Sequence, residues 1–307
     1  MNLDLAYISS FVGSVLAVAT PILLVASLEL LVQRSGVINL GVEGAMLIGA
    51  FTAYALTLYT SNPLLGFLSA MALGSLIAIL FAMVAIYMRL DQIVVGISIS
   101  IASIGITSYL YRIIAGYGPP PKISSSIGET LILKDIPIVG EIFFQTPLTP
   151  ILLALPIAIW LILSRSVIGA MIKAAGEDPG KACRLGVEVA KIRLGVLALE
   201  GIAAGAAGAL LSIGYYSSFL ENMTAGRGYV AVALVILSSW SPAKLLLATL
   251  FFSLLEVSQL RLQALGIIDI PYQLTLSMPY IFTLAILAIS SGGKRAPRSL
   301  GSSEYEC

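Results

Sequence analysis

Glu200-Gly201-Ile202-Ala203-Ala204-Gly205-Ala206-Ala207-Gly208-Ala209 sits inside an apolar run from about 194 to 216. Gly201 and Gly205 form a GxxxG pair, and Ala204 with Gly208 continues the small-xxx-small spacing. Lipid offers little hydrophobic drive between helices, so association there rests on close backbone approach, which such a face permits. A run of this length meets the roughly 20 residues needed to cross about 30 Å of hydrocarbon. The stretch therefore reads as a membrane helix packed tightly on its neighbours, with Gly201, Gly205 and Gly208 as the packing residues. Glu200, at the edge of that face, needs an internal partner.

The rest of the chain has the same character. Of 307 residues, 58% are hydrophobic and 11% charged, with mean hydropathy +1.00. Soluble domains carry about 25% charged residues, so lipid must solvate much of this surface. Nine apolar segments stand out, at about 10–33, 39–59, 63–88, 93–114, 148–164, 194–216, 227–239, 243–262 and 275–291. The fold class is an all-α polytopic transmembrane bundle of about 8–10 spans, with residues 1–307 as one transmembrane domain. The segment 227–239 is short enough to be broken or re-entrant, which is tolerated only inside protein or beside a water-filled cavity. The first hydrophobic stretch lacks a basic leader and reads as a retained anchor.

Several functions are excluded. Net charge is +1, with no basic face for nucleic acid. Histidine is absent, which removes the commonest general base and metal ligand. No HExxH or nucleophile–base arrangement is present, so an intramembrane enzyme has nothing to work with. Cys183 and Cys307 stand in no metal or redox spacing, and no disulfide framework is expected.

Basic residues set the expected orientation. Arg165, Lys173, Lys181, Arg184, Lys191 and Arg193 form the densest cluster, and the tail 292–307 adds Lys294, Arg295 and Arg298. The positive-inside rule puts the 165–193 loop and the C-terminus in the cytoplasm. The loop 115–147, with Pro119-Pro120-Pro121 and Ser124-Ser125-Ser126, then faces out, as does the N-terminus. Asn62-Pro63 and Ser241-Pro242 each open a long apolar helix on opposite sides, a faint sign of an inverted repeat.

Three further stretches carry candidate functional residues. In Arg34-Ser35-Gly36-Val37-Ile38-Asn39-Leu40-Gly41-Val42-Glu43-Gly44, the glycines permit a kinked or unwound entry to a helix. Asn39 and Glu43, one turn apart, are expected on one face, either lining a pathway or, for Glu43, bonding a neighbouring helix backbone. In the loop around Gly176-Glu177-Asp178-Pro179-Gly180-Lys181, Asp178 is a good N-cap, Pro179 suits the first helical position and Gly186 the stop. A helix of about seven residues is marginal alone in water, so this one docks onto something. In Asn222-Met223-Thr224-Ala225-Gly226-Arg227-Gly228-Tyr229, Arg227 is either an interfacial anchor or a fixed charge at the mouth of a pathway. Glu256 and Arg261 are five apart, a poor helical pair, so their partners lie on other helices.

In this order the stretches resemble the permease subunits of ATP-binding-cassette importers, in the branch for simple sugars and nucleosides that is related to branched-chain amino-acid permeases. The Ser35–Ala50 stretch looks like that branch's signature, and Ala174–Gly186 looks like its ATPase-docking loop. Met223–Tyr229 and Ile270-Pro271-Tyr272-Gln273-Leu274 match the nucleoside-like subgroup, and the likeness runs from about 10 to 292. The resemblance implies a non-enzymatic translocation subunit in a multi-pass plasma-membrane assembly. Its implied partners are two ATP-binding subunits, a homologous second permease or a second copy, and an extracytoplasmic binding protein. ATP and Mg would then sit on the partner ATPase, and this chain would bind no cofactor or metal. In agreement, no GxxxxGK[ST] occurs. The coupling residues would be Gly176, Glu177, Asp178, Pro179, Lys181, Arg184 and Gly186, and the pathway residues Asn39, Glu43, Asn222 and Arg227. The alternatives are a branched-chain amino-acid substrate, or an ion-coupled secondary transporter using Glu29, Glu43, Glu200 and Glu256.

Overall fold

The computed structural model describes residues 2–116, 121–123, 149–264, 281, 285 and 296–302. Among these the regular structure is all helical. It comprises α1 (Asn2–Arg34), α2 (Val42–Thr60), α3 (Pro63–Ala82), α4 (Gln92–Ala115), α5 (Thr149–Arg165), α6 (Val167–Glu177), α7 (Pro179–Arg184), α8 (Val189–Ala209), α9 (Arg227–Leu237) and α10 (Pro242–Ala264). π-helical turns extend α3 through Met83–Tyr87 and α8 through Leu210–Tyr216. Six helices are long and apolar enough to cross a membrane, or seven spans if α5 and α6, bent by 79° at their junction, are taken as one. Most of the expected segment 275–291 and most of the loop 115–147 lie outside the described residues.

Small residues decide the layering. α3 carries Gly66, Ala70, Gly74, Ala78 and Ala82, one small side chain per turn and all buried. This stripe meets Gly201 and Gly205 of α8: a Cβ on Gly201 would lie 2.7 Å from Ser75 Cα, and one on Gly205 2.7 Å from the Ala70 carbonyl carbon. Gly208 is pressed the same way against α2, where a Cβ would lie 2.6 Å from the Ala50 nitrogen. α8 is therefore the axis of the bundle, its best apolar window 83% buried against 28% for α3 and for α4. The other side of α3 exposes Leu64, Leu68, Leu76 and Leu80, an apolar face suited to lipid.

The helical path is interrupted at two places. Residues 35–41 leave the helical path after Arg34, with Gly36 at φ +93°. Residues 217–226 form a tight turn with positive φ at Ser217, Asn222, Ala225 and Gly226. α9 has only 11 residues, about 16 Å at helical rise, or half of the hydrocarbon. The segment 227–239, expected to be broken, is instead a continuous short helix from Arg227 to Leu237, and the irregular stretch 217–226 precedes it. Asn62 and Pro63 start α3 at one end of the bundle, with the Asn62 side chain capping Leu64 and Leu65. Pro242 starts α10 at the other end, beside Arg34, which donates to the Trp240 carbonyl at 2.9 Å.

Two expectations are corrected. Asn39 and Glu43 do not share a helical face, because Gly41 is the N-cap and the helix starts only at Val42. Cys183 takes part in a disulfide, a pairing that separation along the chain does not reveal.

Candidate functional site

A buried polar network joins the first interruption to the helix ends around it. Asn39, 1% exposed, donates from Nδ2 to Glu200 Oε2 at 2.8 Å and accepts the Gly41 N–H on Oδ1 at 2.9 Å. Glu29 and Glu200 are both fully buried, and Glu29 Oε2 and Glu200 Oε1 have no hydrogen-bond partner among the described residues. Gln33, one turn beyond Glu29, donates to Glu29 Oε1 at 2.8 Å and to the Val232 carbonyl at 3.3 Å. Trp240 Nε1 closes the network on Gln33 Oε1 at 2.8 Å. These bonds tie the 35–41 interruption to α8, and α1 to α9 and to the turn at Trp240, through buried groups.

Glu43 serves the second interruption. Its carboxylate is 2% exposed and accepts from the Thr224 hydroxyl at 2.5 Å, the Gly226 N–H at 2.9 Å and the Gly228 N–H at 2.7 Å. These donors surround the N-terminus of α9, where free amides and the helix dipole both favour negative charge. No side chain of the 222–228 segment itself caps α9, and Gly226 sits at the N-cap with φ +83°. Glu43 therefore caps a half-helix from across the bundle. Asn222 is exposed on the turn at φ +56°.

Arg227, in the first turn of α9, pairs with Glu256 of α10 at 2.9 Å, with side chains 15% and 19% exposed. Its Nη1 also reaches the Met223 and Thr224 carbonyls at 3.3 and 3.4 Å. Gln259 and Gln263 continue the Glu256 side of α10 at helical spacing. Their Nε2 groups, and Arg227 Nε, are buried without a hydrogen-bond acceptor. Unpaired buried donors are costly and uncommon, so a row of them on one helix face calls for a functional explanation.

The third constellation lies at the end of the bundle that holds Arg34. Asp178 caps α7 by accepting the Lys181 N–H at 2.9 Å, with Pro179 in the first helical position. Gly186, φ +87°, donates to the Cys183 carbonyl at 2.8 Å and Val187 to the Ala182 carbonyl at 3.0 Å. That pair of bonds is a Schellman stop, with Val187 packed near Ala182 as the motif requires. α7 has six residues and rests through Ala182 on Ala175 and Val189. Outward it presents Glu177, Lys181, Arg184 and Leu185, the last 85% exposed. A cleft of about 650 Å³ beside it is bounded by Tyr87, Arg89, Arg184 and Lys191. The hydrogen-bonded ammonium of Lys181 holds the Asp178 carboxyl below the usual carboxylate range.

The coupling residues expected from sequence thus lie together at the junction of α6 and α7, whereas the four pathway residues do not share one site. The sequence offers Glu29 only as an ion-coupling group and does not single out Gln33, Thr224 or Trp240. Glu29 and Gln33 are spaced i, i+4 within an apolar helix, a signal present in the sequence.

An interrupted half-span, a fully buried polar centre and a capped external helix, without a metal-binding cluster among the described residues, define a polytopic membrane permease. The chain belongs to the family described as branched-chain amino acid transport system / permease component, whose model matches residues 11–290. It is similar to the putative glucose ABC transporter permease protein TsgC13 of Haloferax volcanii, 34% identical over 92% of each chain. It is 33% identical to the guanosine ABC transporter permease protein NupQ of Bacillus subtilis over 96% of each. The nucleoside ABC transporter permease protein NupC of Lactococcus lactis matches at 30% over 94% of this chain and 95% of its own. The first two organisms each hold a second similar permease protein named for the same solute. No solved structure matches the chain.

Proposed function

We propose that this chain is the translocating subunit of an ATP-driven importer for nucleosides or simple sugars. The observation that carries the reading is α7, a helix too short to stand alone that is capped at both ends and exposes Leu185 beyond the bundle. Such an element is suited to receive an ATP-binding subunit, with Glu177, Lys181 and Arg184 as its polar rim. Two such subunits, a second permease or a second copy, and an extracytoplasmic binding protein would complete the assembly, with ATP and Mg on the partner subunits. Arg34, Arg165, Lys173, Lys181 and Lys191 gather near this end, which the positive-inside rule makes cytoplasmic, together with the tail.

The solute's route is proposed along α9 and α10. The Arg227–Glu256 pair and the unpaired donors of Gln259 and Gln263 offer both hydrogen-bond signs to a hydroxyl-rich neutral solute. Asn222 would stand at the entrance, while Asn39 and Glu43 hold the two interruptions that border the route. The names of the relatives support guanosine-like or glucose-like solutes.

The test is uptake of labelled guanosine and glucose into liposomes that hold the chain with its ATP-binding subunits. The reading expects uptake of one of these solutes only with ATP. The fully buried carboxyls of Glu29 and Glu200, each with an unpartnered oxygen, favour the rival, an ion-coupled transporter, and uptake driven by an ion gradient without ATP would decide for it.

A further inference from the structure

The end of the chain returns to the bundle at a place where three elements already meet. Ser299 donates its N–H to the Gly176 carbonyl at 3.0 Å and its hydroxyl to the same oxygen at 2.8 Å. Two residues later, the Gly301 N–H donates to the Gly36 carbonyl at 3.0 Å. Gln92, at the start of α4, donates to the Ser302 carbonyl at 3.1 Å and accepts the Ile38 N–H at 2.9 Å. The tail 296–302 therefore bridges the end of α6, the 35–41 interruption and the start of α4.

Arg193 lies at the centre of this bridge. Counted by sequence among loop charges, it is 1% exposed and ranks among the largest fully buried side chains. Its Nε donates to the Ser35 carbonyl at 3.0 Å, and its Nη2 to the Ala175 carbonyl and the Ser299 hydroxyl, both at 3.4 Å. The fit leaves no slack. A Cβ on Gly36 would lie 2.8 Å from Arg193 Nη2 and 3.3 Å from Gly176 Cα.

We propose that Arg193 and the tail residues 296–302 form a clasp that makes the α6–α7 element and the 35–41 interruption move as one body. The argument is mechanical. A push on α7 passes through α6 to Ala175 and Gly176. From there the clasp hands it to Ser35 and Gly36 across six hydrogen bonds. Residues 36–41 lead directly to Asn39, bonded to Glu200, and to Glu43, which caps α9. Displacement at α7 thereby reaches both polar centres without a continuous helix between them. Coupling needs an element that both sites bias, and packed backbone with directional bonds supplies it. Arg193 and Ser299 act as positioning residues, since neither faces the proposed solute route.

The proposal rests on the importer reading, so its test has two arms. The first uses the detergent-purified chain alone. Amide hydrogen exchange should find residues 299–301 protected, and Arg193→Lys, which keeps the charge but loses the fork of donors, should abolish that protection. The second uses liposomes holding the chain with its ATP-binding subunits. Ser299→Ala should leave the subunits bound and hydrolysing ATP but raise the ATP spent per solute imported by about three- to thirtyfold, the usual range for such coupling changes. Ser299→Thr, which keeps a hydroxyl to donate to the Gly176 carbonyl and to accept from Arg193, should keep most of the coupling. An unprotected tail, an unchanged ATP-to-solute ratio, or loss of the ATP-binding subunits from Ser299→Ala each overturns the clasp. Absence of ATP-dependent uptake in the unaltered complex counts against the importer reading instead, and the exchange arm then judges the clasp alone.

Discussion

Glu43 and Gly228 are in contact through both backbone and side chain. Glu43 Oε2 accepts the Gly228 N–H at 2.7 Å, and a Cβ on Gly228 would lie 2.7 Å from Glu43 Cα. The two residues are 185 positions apart, so one carboxylate fixes where a half-helix begins against the start of α2. An acidic group that sequence offers as a pathway charge is here the cap of another element.

Removing that carboxylate should loosen α9. Glu43→Ala leaves the donors of Thr224, Gly226 and Gly228 without their acceptor. At about 1–3 kcal/mol for each orphaned buried group, the loss should exceed about 3 kcal/mol. Glu43→Gln keeps one acceptor oxygen and should cost less. Thermal unfolding in detergent reads the difference, and equal stability of all three chains would remove Glu43 from this role.

The glycines of α8 make a sharper distinction. Gly205→Ala places a methyl group against the Ala70 backbone, and overpacking of this kind costs about 1–3 kcal/mol. Gly195, in the same helix, has nothing within 4 Å of its Cβ position, so Gly195→Ala should be neutral or stabilising. Yield of monodisperse chain and its unfolding temperature measure both. A penalty as large at Gly195 as at Gly205 would show that helix contact is not the cause.

Local chemistry was legible in the sequence and long-range partnership was not. The caps of α7 lie within a few residues of the helix they close, so Asp178, Pro179 and Gly186 could be read directly. The apolar runs gave the helices, and the small residues of α8 gave a packing face. That face did not say which helix it meets, and the matching stripe from Gly66 to Ala82 was seen only once α3 lay against it. Asn39 and Glu43 were placed on one face because helix was assumed to start at 39; Gly41 delays it and turns them to different partners. Glu200 was expected to be paired internally, but Asn39 is 161 residues away, and no spacing rule reaches that far. Arg193 was misread because its charge suggests solvent, while the backbone carbonyls that receive it have no sequence signature.

Glu256 was expected to find its partner on another helix, and it does so in Arg227. If the pair sits on the solute route, each single charge reversal, Arg227→Glu or Glu256→Arg, should lower uptake and the two combined should recover part of it. Contacting charged residues commonly show interaction energies of about 0.5–3 kcal/mol in double-mutant cycles. Uptake rates for the four chains give that energy, and additive losses would mean that the two charges act separately.

The cap of α7 has a pH sign. The Asp178 carboxyl is held below its ordinary value by Lys181, so its contribution is complete above the unfolded value of about 4 and fades as pH falls through the lower folded value. Near neutral pH, Asp178→Asn keeps the acceptor that α7 needs, whereas Asp178→Ala removes it. Capture of an ATP-binding subunit should therefore survive in the first variant and weaken in the second. Equal capture by both would show that the cap does not matter for docking.

The most direct measurement is co-purification of an ATP-binding subunit from detergent extract, comparing the unaltered chain with one carrying Glu177→Arg and Asp178→Arg. The subunit should accompany the unaltered chain and be absent from the variant, although both chains fold and reach the membrane. Recovery of the unaltered chain by itself, still able to carry solute into ATP-free liposomes down an ion gradient, would contradict the importer reading and turn attention to Glu29 and Glu200.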